Sequence, residues 1–349
     1  MSTSANQKTF SILTFNTKLF KGSLMDQVLV DLEARLDDIK VGNLPSLKEI
    51  FNIKVPHLSE QDDARAIEIV KKIKSLSPDI VCLQEVWGPD FRKESIIDPL
   101  TIEYPYQYMQ DFDFGLHASD DMAEVVLNHF GDIPSMLRDR LKDAIKLVTN
   151  SITGKMTNGL VILSKTKLSN CSTTEYARLS GEDPEDTLVR KGFAKIQISA
   201  PVNLTLATTH MPTTPDIIYQ LLSAKDTTSP ARWLLDTSTQ WTDSIFLGDF
   251  NLHYYTDSER KKLNDIMRDI NPNAEDLLTR IKEREAAYTD LNGSKERIDY
   301  IYFSQAKNAN ARRLSPRKVE VLDWHLDKDP SCTLSDHRPV LATFDIVKG

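Results

Sequence analysis

Cysteine is scarce: Cys82, Cys171 and Cys332 are odd in number and far apart, so they offer neither a disulfide framework nor the close spacing of a zinc site. A reducing compartment follows as the simpler expectation. Long apolar runs are missing too. None approaches the ~18 residues that a membrane span requires, so contact with lipid is expected to be peripheral. Residues Met1 to Lys8 are polar, and no signal-type apolar stretch follows before Ser11 to Phe15. The expected location is cytoplasmic, or exported without a Sec signal, with peripheral visits to membranes. Positive charge is not in excess, because 43 Lys+Arg face 51 Asp+Glu for a net charge of -8. That balance gives no electrostatic case for extended nucleic-acid binding, and an anionic substrate would need a divalent cation to approach an acidic site. No Gly/Ser or Pro-rich linker, internal repeat or low-complexity tract divides the 349 residues, of which 40% are hydrophobic and 27% charged. A single domain, 1–349, is expected.

What is present is a series of short apolar runs, each closed by a polar residue. Ile12-Leu13-Thr14-Phe15 ends in Asn16; Ile80-Val81-Cys82-Leu83-Gln84 ends in Glu85; Leu204 to Thr209 ends in His210. Ile245-Phe246-Leu247-Gly248 leads to Asp249 and Asn251, Arg297-Ile298-Asp299-Tyr300 carries Asp299, and Leu334-Ser335-Asp336-His337 closes the series. Such runs read as buried strands. Further strands are predicted at Gly159 to Ser164, Phe193 to Ile198, Leu204 to Thr208, Ser244 to Leu247, Ile298 to Phe303 and Val340 to Phe344. Helices are predicted over Asp63 to Leu76, stopped by Ser77-Pro78, and over Ser258 to Ile270. Strands and helices in mixed order suggest an α/β sandwich. Two helical insertions, near 22–60 and 112–155, are expected to pack on it. The second has Arg138, Arg140, Lys142 and Lys146 beside its apolar stripe, as an interfacial helix would, although Asp139 and Asp143 weaken that reading.

If these strands share a sheet rim, their ends gather imidazoles, carboxylates and amides, a set suited to a hard divalent cation and a phosphate ester. Glu85 is the candidate metal ligand, with Asn16 as its neighbour. Asp249 and Asn251 stand two apart and in extended backbone would point the same way, with Gly248 allowing a close backbone approach. His337 needs an orienting acceptor to take a proton from water, and Asp299 is the candidate. Asp336 is placed for metal, directly or through water. His210 would donate to the phosphate, and His253 is a weaker candidate. His57, His117, His129 and His325 are read as structural or surface residues.

Taken together, Gln84-Glu85, Gly248-Asp249-Phe250-Asn251 and Ser335-Asp336-His337, in this order, resemble the endonuclease/exonuclease/phosphatase superfamily of metal-dependent phosphoesterases, from about Phe10 to Phe344. The resemblance implies a four-layer α/β sandwich with two facing mixed β-sheets, as in deoxyribonuclease I. It implies Mg²⁺, with Mn²⁺ or Co²⁺ able to substitute, served by Asn16 and Glu85. It also implies that Asp249 and Asn251 act at phosphate and water, and that His337 pairs with Asp299. Within the superfamily the chain is most similar to neutral sphingomyelinases, through Glu85-Val86-Trp87 followed by Asp90-Phe91, Lys191-Gly192-Phe193, Thr209-His210 and Asn251-Leu252-His253. It departs from them in lacking the bacterial secretion signal and the C-terminal spans of some animal members, and in the unmatched 112–155 insertion. The expectation is hydrolysis of a phospholipid, sphingomyelin to ceramide and phosphocholine. A nuclease, an inositol-phosphate phosphatase and a catalytically silent binding protein stay open as alternatives.

Overall fold

The computed structural model describes residues 9–19, 62–86, 92–109, 138–139, 142, 158–176, 191–224, 242–271, 273–291, 295–306 and 312–348. The strands are β1 (Thr9–Leu19), β2 (Ile80–Val86), β3 (Tyr106–Tyr108), β4 (Val161–Ser164), β5 (Ser169–Glu175), β6 (Gly192–Ile198) and β7 (Leu204–His210). They continue with β8 (Asp243–Asp249), β9 (Glu275–Asp276), β10 (Asp299–Ser304), β11 (Arg313–Val321), β12 (His325–Leu326), β13 (Asp329–Thr333) and β14 (Val340–Val347). One six-stranded sheet runs β11-β14-β1-β2-β4-β3 and a second runs β5-β6-β7-β8-β10-β9, with β12 and β13 forming a separate two-stranded ribbon. Both sheets are mixed, since β1 and β2 pair in parallel, as do β7 and β8, while their other neighbours are antiparallel.

Side-chain alternation assigns the layers. On β1, Phe10 and Ile12 face the second sheet, while Leu13 and Phe15 face outward. The inward set meets Ile80, Cys82, Leu206, Ile245, Leu247 and Ile301 in one inter-sheet core. Outside the first sheet lies α1 (Asp62–Leu76), whose Ala66, Ile69 and Ile73 cover Leu13, Phe15, Val81 and Leu83. Outside the second lie α2 (Pro215–Ser223) and α3 (Asp257–Ile270), with Ile218, Leu222, Leu263 and Met267 packed among Ala207, Phe246 and Tyr302. The layers are therefore helix, sheet, sheet and helix, and each fully buried Leu or Ile contributes about 1.5–3 kcal/mol.

The central strands run further than their apolar cores. The strand predicted to end at Thr208 continues through His210, and the one predicted to end at Leu247 continues through Asp249. Backbone pairing carries both, because His210 and Asp249 are register partners, as are Asp249 and Asp299. The polar side chains thus sit on the ladder itself. The insertion near 22–60 falls outside the described residues, and of 112–155 only 138, 139 and 142 are described.

Candidate active site

Along each central strand the inward row changes character towards one end. On β7 it runs Leu204, Leu206, Thr208, His210; on β8, Ile245, Leu247, Asp249; on β1, Phe10, Ile12, Thr14, Asn16. A polar floor marks the change. Gln84 Nε2 donates to Thr208 Oγ1 at 2.8 Å and to Thr14 Oγ1 at 3.1 Å, which joins the two sheets through buried, paired groups. Beyond that floor the chemistry-bearing residues converge.

Asn16 Nδ2 donates to Glu85 Oε1 at 2.6 Å and to Asp249 Oδ2 at 2.9 Å, and lies 3.4 Å from His337 Nε2. His210 Nε2 is 3.6 Å from the same Glu85 oxygen and 3.6 Å from the same Asp249 oxygen. On the far side, His337 Nδ1 is 2.9 Å from Asp299 Oδ2, while its Nε2 lies 3.8 Å from Asp249 Oδ2. Asp249 is the shared member: ligand atoms of Glu85, His210 and Asp249, and of Asp249, Asp299 and His337, lie within 4.8 Å of one another in each group.

Backbone strain gathers here. Lys18, Glu85 and Asn251 have φ of 45°, 54° and 51°, a region that side chains of L-residues enter at a cost of about 1–3 kcal/mol. The β1–β2 register shifts between Asn16 and Leu19, so the strand end bulges just beyond Asn16. Gly248 has φ of 129°, and a Cβ there would fall on the Thr209 carbonyl oxygen, so glycine is required for β8 to lie against β7 at this point. The loop after β13 is pinned by Ser335, whose Oγ donates to the Asn16 carbonyl at 2.8 Å and accepts from the His337 amide at 3.2 Å. A single bridge between Asp290 and His337 holds the other flank.

Electrostatics follow from burial. The Asp249 carboxyl is pushed up to about 7 by desolvation, with Asp299 adding to the rise and His337 and Lys191 opposing it. Burial alone would lower His337, but the carboxylates of Asp299 and Asp249 outweigh it and hold the imidazole well above its ordinary value. His210 lies well below its ordinary value, through burial first and then the positive charge of Lys191 and of His337. His210 is therefore a neutral imidazole near neutral pH.

The strand-end series brings Asn16, Glu85, His210, Asp249, Asp299 and His337 into one cluster. One expectation changes, and one residue lies apart from the cluster. Asn251 is not in extended backbone: its positive φ turns it out of β8, its N–H donates to Asp249 Oδ1 at 2.8 Å, and its Nδ2 is committed to the Met211 carbonyl at 2.6 Å. Asp336 belongs to neither group of clustered ligand atoms among the described residues, and it forms an ion pair with Lys18. Lys18, Arg65 and the charge of Lys191 also bear on the site, and lone cations of this kind carry no spacing signal in a sequence. His253 donates its backbone N–H to Glu259, and His325 pairs with Asp323 at 3.1 Å, both apart from the cluster contacts. His57, His117, His129, Trp87, Asp90 and Phe91 lie outside the described residues.

The donor set fits a hard divalent cation. Two carboxylate oxygens from different sheets, Glu85 Oε1 and Asp249 Oδ2, converge on one point, which the N–H groups of the Asn16 amide approach with their partial positive charge. Oxygen donors with a neutral imidazole beside them suit Mg²⁺ or Mn²⁺. Asn16 Oδ1 accepts from the Lys18 amide at 3.2 Å, so the amide would need to turn to offer its oxygen.

Fold and site together define a four-layer α/β hydrolase of phosphate esters. The model of the Endonuclease/Exonuclease/phosphatase family matches residues 13–337, and the chain belongs to that family. Comparison with curated proteins gives no significant match. Among solved structures, D. rerio TDP2 complexed with a single-stranded DNA product is 15% identical with a TM-score of 0.57, covering 97% of this chain and 99% of that one. Sphingomyelinase C from Streptomyces griseocarneus is 15% identical with a TM-score of 0.53, at the same 97% and 99%. An endonuclease/exonuclease/phosphatase from Beutenbergia cavernae is 14% identical with a TM-score of 0.56, covering 97% of this chain and 72% of that one. At such identities the likeness establishes the fold.

Proposed function

We propose that this chain is a Mg²⁺-dependent phosphodiesterase of the phospholipase C type that hydrolyses sphingomyelin to ceramide and phosphocholine. The observation that carries the hydrolytic reading is the meeting at Asp249 of two half-sites, Glu85 with Asn16 and Asp299 with His337. Glu85, Asp249 and the turned amide of Asn16 would hold the cation, which supplies charge neutralisation at the phosphoryl oxygens. Asp336, bound to Lys18, serves the site from outside the first ring of ligands.

Without the cation the neighbouring carboxylates keep His337 protonated; with the Asp249 charge offset by a cation held at Glu85 and Asp249, Nε2 is freed to accept a proton from the attacking water, while Asp299 holds Nδ1–H and so fixes the tautomer. Asp249 lies beside that Nε2 and orients the water. His210, neutral and carrying an N–H, donates to a non-bridging oxygen, and Asn251 at the Asp249 turn flanks the same phosphate. The water oxygen forms the new bond to phosphorus as the bond to the alkoxide breaks in line.

The lipid choice rests on the sequence resemblance at Lys191-Gly192-Phe193 and Thr209-His210, on a net charge of -8 that does not favour a nucleic-acid track, and on a fold shared with a sphingomyelinase C. The similar structure that holds a DNA product makes DNA the rival arm of the test. Purified protein with Mg²⁺ or EDTA is assayed on sphingomyelin vesicles, phosphatidylcholine, single-stranded and duplex DNA, and inositol phosphates, with His337→Ala as the blank. Release of phosphocholine from sphingomyelin that EDTA abolishes is expected. Turnover of DNA alone would overturn the lipid assignment and leave the hydrolase standing.

A further inference from the structure

The geometry points to Arg65 as a positioning residue of this site, one that no motif marks and that touches none of the reacting groups. It is fully buried on α1, beneath the place where the bulged end of β1 meets the loop carrying Ser335, Asp336 and His337. All five guanidinium N–H groups have acceptors. Nε donates to the Leu334 carbonyl at 2.9 Å; Nη2 donates to the same carbonyl at 2.8 Å and to that of Thr17 at 2.6 Å; Nη1 donates to the Lys18 carbonyl at 3.0 Å and to Asp62 Oδ1 at 2.5 Å.

These acceptors are not an arbitrary set. The β1–β2 register slips between Asn16 and Leu19 and Lys18 has a positive φ, so the Thr17 and Lys18 carbonyls stand where the regular ladder breaks. Leu334 directly precedes the Ser335-Asp336-His337 turn. One planar fork therefore ties the strand end that presents Asn16, on the metal side, to the loop that presents His337, on the proton-accepting side. The two are more than 300 residues apart in sequence, as the Ser335 to Asn16 hydrogen bond across 319 positions records. An apolar side chain could fill the same space without desolvating a charge, but it would remove the bonds to three carbonyls, those of Thr17 and Leu334 in buried contacts, and leave the two half-sites free to drift. Lysine could not match it, because an ammonium lacks the fixed planar fork.

This inference rests on the metal-dependent hydrolase reading, its kinetic arm on the hydrolysis and its Mn²⁺ arm on the cation site alone. The test compares wild type with Arg65→Lys and Arg65→Ala, measuring kcat, KM and Mn²⁺ affinity by electron paramagnetic resonance well below each variant's Tm. Both variants are expected to lose about 10-fold or more in Mn²⁺ affinity and about 100-fold in kcat with KM little changed, as displaced supporting groups do. Methylguanidinium added to Arg65→Ala should restore part of both. A lowered Tm with wild-type kcat and Mn²⁺ affinity would overturn the proposal and leave Arg65 as a stability element alone. If neither variant folds, Asp62→Asn decides: a smaller loss of the same pattern supports the inference, and a Tm change alone refutes it. If wild type turns over no phosphodiester, the hydrolase reading falls while Mn²⁺ affinity still decides the role of Arg65.

Discussion

The same five strands build two unlike ends of the inter-sheet layer. At one end Ile12, Ile80, Leu206, Ile245 and Ile301 meet in a dry core; at the other Asn16, Glu85, His210, Asp249 and Asp299 crowd a buried polar cluster. Alternation and pairing continue unbroken through β7, β8 and β10, so the difference lies in side-chain type and not in topology. The apolar end supplies folding free energy. The polar end consumes it, through buried carboxylates and through positive φ at Lys18, Glu85 and Asn251. A site of this kind is affordable because a rigid, well-packed layer lies directly beneath it.

That contrast can be broken from either side. The largest effect is expected from His337→Ala, which should lower kcat about 1000-fold or more while leaving Tm within a few degrees; steady-state kinetics and thermal melts check it. Ile245→Ala, on β8 within the dry end, should do the reverse and cost about 2–4 kcal/mol in urea denaturation, with kcat unchanged well below Tm. Gly248→Ala lies at the junction and should damage both. The new Cβ meets the Thr209 backbone, so a loss of about 2 kcal/mol and a fall in kcat are expected together, and a purely thermal phenotype would show that Asp249 need not be held so closely.

The smallest effect sharpens the electrostatic half of the comparison. Because His337 is held well above 6.5 in the folded protein, its contribution to stability is complete below ~6.5 and is lost as pH rises through the raised value. Asp249, raised to about 7, withdraws stability between about 4 and 7 and adds no further change above that window. His210, lowered, loses its contribution only as pH falls below about 6.5. In chelator, the wild-type unfolding free energy should therefore fall as pH rises above about 7, with a slope of at most about 1.4 kcal/mol per pH unit for one proton, and His337→Gln should flatten that slope. An unchanged slope in the variant would place the proton elsewhere.

The sequence was most legible where burial is two-sided. Apolar runs such as Ile80 to Leu83 and Ile245 to Leu247 announce central strands, and the polar residue that ends each run announced the cluster. Strand β11, with Pro316, Arg317 and Lys318, is a half-exposed edge paired only with β14, and β5 carries mostly Ser, Thr and Asn; neither displays an apolar period to read. Spacing alone puts Asn251 in extended backbone, whereas the Asp249 carboxylate captures its N–H and folds the chain into a tight turn. Asp336 with Lys18, and Arg65 with three carbonyls, are contacts made by tertiary folding across long separations, which no local pattern encodes.

The central claim is that Glu85 on one sheet and Asp249 on the other close around a single divalent cation beside His337. Anomalous diffraction from crystals soaked in Mn²⁺ tests it most directly. A peak within about 2.5 Å of both Glu85 Oε1 and Asp249 Oδ2 is predicted, lost in Glu85→Gln. A peak elsewhere with these two carboxylates unliganded would contradict the account.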